Sequence, residues 1–80
     1  MLQEISKYLI IIDLDGASTA MLFTEQRKLV ADFDSSSEEV PVMTRGLVPS
    51  STANNQQWDQ ALAGCSHAER LKAQVYVLDV

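Results

Sequence analysis

Hydrophobic and polar positions change period three times along this chain, and each change marks a new element. Tyr8-Leu-Ile-Ile-Ile12 is an unbroken apolar, β-branched run, the pattern of a strand central in its sheet or covered on both faces. Asp15-Gly16 interrupts it, and Ala17–Phe23 then resumes extended character. Glycine tolerates the positive φ of a two-residue type I′ turn, so the two runs predict a hairpin that pairs Leu14 with Ala17, Ile12 with Thr19, Ile10 with Met21 and Tyr8 with Phe23. After the polar tetrad Glu25–Lys28, Leu29, Ala31 and Phe33 alternate with Val30 and Asp32, which predicts a third antiparallel strand.

Residues 34–54 contain Pro41, Gly46, Pro49 and a Ser-Ser-Thr cluster, and a structureless loop of that length is unusual in a compact domain. Ser35 with Glu38 and Ser36 with Glu39 have capping-box spacing, but Pro41 is expected to limit any helix to one turn. Val40–Met43 is the candidate for a short edge strand, where proline is tolerated. From residue 55 the period becomes helical. Trp58, Ala61, Leu62, Cys65 and Ala68 share one face, while Gly64 and a second capping box, Ser66 with Glu69, allow one kinked helix or two short ones. Val75–Val80 closes the chain as an apolar strand. The expected fold is a single α+β domain: a hairpin meander over about 7–33, an acidic and polar connection over 34–54, a helix over about 55–72 packed on one sheet face, and a final strand over 74–80. A right-handed crossover places that last strand parallel to and beside the first.

Charge narrows the chemistry. Of 80 residues with net charge −5, the first forty carry eight acids against Lys7, Arg27 and Lys28, and the last forty balance three acids with three bases. No basic cluster of the kind that binds a phosphate backbone is present, so no direct nucleic-acid partner is expected. One cysteine, Cys65, forms no internal disulfide, and its spacing from His67, the one histidine, does not suit a catalytic pair. No apolar run is long enough for a membrane span and the N-terminus lacks a basic signal flank, which gives a cytoplasmic expectation. No cofactor motif is found.

Two acidic patterns bear on function. Leu9-Ile-Ile-Ile-Asp-Leu-Asp-Gly16 resembles the first motif of the haloacid dehalogenase superfamily, a hydrophobic strand followed by Asp-x-Asp-Gly. The resemblance covers about eight residues and implies a nucleophile at Asp13, a general acid and base at Asp15, and Mg²⁺ between them. The strand order is also similar to the opening half of the ribonuclease H-like fold, which implies metal-binding acids at Asp13, at Asp59 or Glu69, and at Asp79. Both require machinery that a chain of this length does not supply, and the hairpin turn already accounts for Asp13 and Asp15. The reading carried forward is a non-enzymatic protein-binding module, accessory or inhibitory, with no catalytic or metal residue assigned. Its binding residues are Asp32, Asp34, Glu38 and Glu39, which face a basic protein surface, or else an open sheet edge recruits a strand from a partner or from a second copy. The alternative is a metal-dependent phosphodiester or phosphoryl-transfer enzyme centred on Asp13.

Overall fold

The computed structural model describes residues 6–78. Among these, five antiparallel strands form one sheet in the order β3-β2-β1-β5-β4, with short helices against it: β1 Ser6–Leu14, β2 Ala17–Thr24, β3 Leu29–Phe33, α1 Glu39–Met43, β4 Ser51–Thr52, a 3₁₀ turn Gln56–Trp58, α2 His67–Lys72 and β5 Ala73–Val77. The architecture is mixed α+β, and the Tyr8–Ile12 run lies in the central strand.

The hairpin forms in the expected register. Leu14 faces Ala17, Ile12 faces Thr19, Ile10 faces Met21 and Tyr8 faces Phe23. Asp15 and Gly16 both have positive φ, at 54° and 78°, the backbone of a type I′ turn. Alternation then sorts β1 between two cores. Ile10 and Ile12 join Phe23, Trp58, Leu62, Ala73 and Val75 on one face. Leu9 joins Ala20 and Leu78 on the other, with Ile11, Val40 and Met43 packed against them.

Three expectations are corrected. First, β5 lies beside β1 but runs antiparallel, with Ile12 opposite Ala73 and Tyr8 opposite Val77. A right-handed crossover returns the chain to the far end of the sheet before the next strand begins. Here six-residue α2, with a rise of about 9 Å, delivers the chain directly into β5 at Ala73, beside the C-terminal end of β1. Strand direction follows from that entry point.

Second, Val40–Met43 is helical. Pro41 occupies the first turn of α1, where an absent N–H removes no intrahelical bond, so it is accommodated where an edge strand was expected. The Asp34 side chain accepts from the Ser36 N–H (3.0 Å), and the Ser37 hydroxyl accepts from the Glu39 N–H (3.1 Å). These local bonds turn the chain into α1, which packs Val40 and Met43, three apart, onto the sheet. The short edge strand is instead Ser51–Thr52, paired with β5.

Third, residues 55–72 do not form a long helix. Asn55 caps the 3₁₀ turn by accepting from the Gln57 N–H (3.0 Å), turns follow through residue 65, and only His67–Lys72 is α-helical. Ser66 sits in extended backbone, as an N-cap must, and so breaks whatever precedes it while starting α2. Trp58 and Leu62 are buried and Ala61 and Cys65 half-buried, so the apolar period holds that far and lines a turn-rich layer, but Ala68, expected on the same face, is exposed. The expected strand over 74–80 is observed as Ala73–Val77, its last two residues lying outside the described segment.

Candidate functional site: an acidic sheet edge

The outer edge of β3 is the longer of the two sheet borders, five residues against two in β4. Which of its backbone groups are free follows from the hairpin. A two-residue turn closes on a hydrogen-bonded pair, here Leu14 and Ala17, and bonded pairs then alternate. Ala17, Thr19, Met21 and Phe23 therefore bond toward β1, and Ser18, Ala20, Leu22 and Thr24 toward β3. Leu22 faces Ala31 and Ala20 faces Phe33, which turns the backbone of Ala31 and Phe33 inward and that of Asp32 outward. The Thr24 N–H donates to the Lys28 carbonyl at 2.9 Å, in agreement with this parity. A register shift at Leu22/Phe23 leaves Val30 as the extra residue of a bulge. Leu29 and Val30 are 54% and 49% exposed.

The acids expected to act together are divided by the fold. Asp32 pairs with Met21 and lines a cleft of about 420 Å³ with Asp34, Thr19, Cys65 and Glu69, on the face that carries Trp58. Glu38 and Glu39 stand at the start of α1, which covers the opposite face. All four are exposed, but the segment is not one patch. Asp34 lies between the two faces and also borders a second cleft, of about 400 Å³, with Ser18, Val40, Pro41 and Thr44. Its carboxylate accepts from the Ser36 hydroxyl (2.5 Å) as well as the Ser36 N–H, and these bonds hold its pKa below the ordinary aspartate value.

Glu69 is held in a complete capping box. Its carboxylate accepts from the Ser66 N–H at 2.8 Å, and its own N–H donates to the Ser66 hydroxyl at 3.1 Å. The Ser66 N–H bond to the carboxylate, and after it the Ser66 hydroxyl, lower its pKa. A carboxyl whose folded pKa is depressed contributes stability above its unfolded pKa, and that contribution disappears as pH falls through the folded value. In Ser66→Ala, which loses the hydroxyl but keeps the backbone N–H, the Glu69 carboxyl titration followed by ¹³C NMR is expected to rise part of the way toward the ordinary glutamate range, and the acid limb of stability against pH becomes shallower. An unmoved midpoint shows that the Ser66 hydroxyl does not act on the carboxylate. Across the cleft, burial and the nearby Glu69 charge push the Cys65 thiol up, so it is not the thiolate a nucleophile requires.

The acids named by the family resemblances do not converge. Asp13 pairs with Ser18 on the face of Leu9 and Ile11, opposite the face that carries Asp59 and Glu69. Asp59 is ion-paired to Arg70 at 2.8 Å, and Asp79 lies outside the described residues. β2 follows Gly16, so the first dehalogenase-like motif leads into a hairpin, and the parallel strand of the ribonuclease H-like comparison is antiparallel. Among the described residues no group of three His, Cys, Asp or Glu side chains is placed to hold a metal ion, and no helix is long and apolar enough to cross a membrane.

One residue at this border escaped the sequence reading. Arg27 has φ +65° in the turn between β2 and β3, the left-handed position where glycine is usual. Its N–H donates to the Thr24 carbonyl at 2.9 Å, while its guanidinium lies 4.8 Å from the Trp58 ring centre and 5.1 Å from that of Tyr8. The cation–aromatic contacts offset the backbone strain. No protein-family model, curated protein or solved structure matches this chain.

Proposed function

We propose that this chain is a small protein-binding module whose β3 edge accepts an extended segment of a basic partner protein. The observation that carries this reading is the outer backbone of β3, which among the described residues borders the sheet, flanked by exposed Leu29 and Val30 and leading into Asp32 and Asp34. Strand addition obtains affinity from main-chain bonds and selectivity from the side chains beside them. The bonds here are general, so the acids make the selection: lysine or arginine on the incoming strand meets the two carboxylates at the C-terminal end of β3. The Ser36 bonds extend the charged range of Asp34 to lower pH. The opposite border is less suited, because β4 offers only two residues.

The test uses a synthetic peptide of alternating lysine and valine added to ¹⁵N-labelled protein. Amide shifts are expected to concentrate at residues 29–34. Joint Asp32→Asn and Asp34→Asn substitution is expected to weaken binding about tenfold, and joint Glu38→Gln and Glu39→Gln substitution to leave it unchanged. Shifts centred on α1 or β4, or no response at millimolar peptide, overturn the proposal.

A further inference from the structure

Beyond the bulge at Val30, pairing of β3 with β2 is regular from Ala31 to Phe33, and within that stretch Asp32 alone turns its N–H and carbonyl outward. A partner residue bonded to Asp32 has its side chain on the face that Asp32 shares with Met21 and Trp58, because directly opposed residues share a face. That face is grooved. The cleft of about 420 Å³ has apolar ground in buried Ile12 and half-buried Met21, with Cys65 beside it and the carboxylates of Asp32, Asp34 and Glu69 around it. Among the described residues no lysine, arginine or histidine lines it. We propose that this cleft is the specificity pocket of the docking edge, and that it takes the side chain of one lysine, carried by the partner residue opposite Asp32.

This pocket presupposes the docking edge and sharpens what the edge selects, from basic charge along the border to the length of one side chain. The two parts of the cleft match the two parts of lysine. The methylene stem covers Met21 and Ile12, and the ammonium stays with the carboxylates at the opening. Neighbouring strands lie about 4.8 Å apart, so only a stem longer than that spacing carries the ammonium over Asp32 into the cleft. Lysine, on its four-carbon stem, does so; a side chain of one or two carbons ends at the border, beside Asp32. Two of the acids are held in place before a partner arrives. The Ser36 N–H donates to the Asp34 carboxylate at 3.0 Å and the Ser66 N–H to that of Glu69 at 2.8 Å, which leaves less side-chain ordering to oppose binding. Arg70, next to Glu69 in the chain, is engaged with Asp59.

The test varies length at constant charge. A short threonine–valine peptide, blocked at both ends, carries one basic residue at its centre: lysine, ornithine, diaminobutyrate or diaminopropionate. Each is titrated into the ¹⁵N-labelled full chain. Affinity is expected to fall about fourfold with each methylene removed. With the lysine peptide, amide shifts at Cys65 and Glu69 are expected to join those at residues 31–34, and with the diaminopropionate peptide to fade. Glu69→Gln keeps the capping box, since glutamine also serves at that position. It is expected to weaken the lysine peptide about threefold and to leave the diaminopropionate peptide unchanged. Equal affinity for all four peptides, with shifts confined to residues 29–34, overturns the pocket and leaves the docking edge standing. Shifts at Cys65 and Glu69 without shifts at residues 31–34 show a cleft that takes a cation with no strand on the edge, and overturn both. No response to any of the four at millimolar concentration overturns both as well.

Discussion

Replacing Trp58 with alanine is expected to cost about 3–5 kcal/mol, a large part of the roughly 4–12 kcal/mol available to a chain of this length at 0.05–0.15 kcal/mol per residue. The reason is position as much as size. Trp58 is 2% exposed and joins three elements: its ring meets Tyr8 of β1 edge-on at 5.4 Å and Phe23 of β2 at 5.3 Å, while Arg27 from the β2–β3 turn lies over it. Truncation leaves a cavity between the sheet and the turn-rich layer. It also removes one of the two rings that the strained Arg27 rests on. A thermal melt followed by far-ultraviolet circular dichroism is expected to drop by roughly 15–30 °C, or to show no folded baseline. Trp58→Phe keeps the edge-on contacts and is expected to lose less than half as much. A fall of only a few degrees for the alanine variant shows that the layer over the sheet is held by something other than this ring.

The parts legible in the sequence are those set by local geometry. The hairpin register could be read because Asp15-Gly16 fixes the turn and every residue from Tyr8 to Phe23 then has one partner. The Ser66–Glu69 capping box was legible for the same reason: a four-residue Ser-x-x-Glu pattern determines it. Direction and layer were harder. Nothing between Ala73 and Val80 records that the chain enters β5 at the C-terminal end of β1, so a strand correctly placed beside β1 was given the wrong sense. Val40–Met43 reads as an edge strand by composition, because two β-branched residues and a proline outweigh the local bond from the Glu39 N–H to the Ser37 hydroxyl, which lies outside the window. Trp58, Ala61, Leu62 and Cys65 keep a helical period in a segment that is mostly turns, since burying the same side requires similar spacing in either conformation.

Of the candidate site, the acids could be listed but not located. Asp32 and Asp34 border the cleft beside β3, whereas Glu38 and Glu39 went with α1 to the opposite face, and only the corrected conformation of Val40–Met43 explains that separation. Arg27 gave no signal, because glycine or asparagine normally marks a left-handed turn position.

The second large effect concerns the clasp that holds Trp58 in place. Arg70 of α2, with a side chain 18% exposed, directs Nη2 to the Ala53 carbonyl at 3.1 Å, the Asn55 carbonyl at 2.8 Å and the Asp59 carboxylate at 2.8 Å. These groups flank the 3₁₀ turn, so one guanidinium ties α2 to both ends of the segment that carries the tryptophan. Arg70→Met preserves the apolar stem and leaves the carbonyls without their charged donor, an expected loss of about 2–3 kcal/mol. Asp59→Asn removes only the ion pair, whose carboxylate is 57% exposed, and is expected to cost less than about 1 kcal/mol. The difference between these variants measures the grip on the backbone separately from the charge. Because Arg70 and Trp58 act on the same segment, their effects should not add: in Trp58→Phe, which still folds, Arg70→Met is expected to cost measurably less than in the native chain. Urea unfolding of the two single variants and the double variant reads that coupling, and strict additivity would show that Arg70 stabilises α2 without positioning the ring.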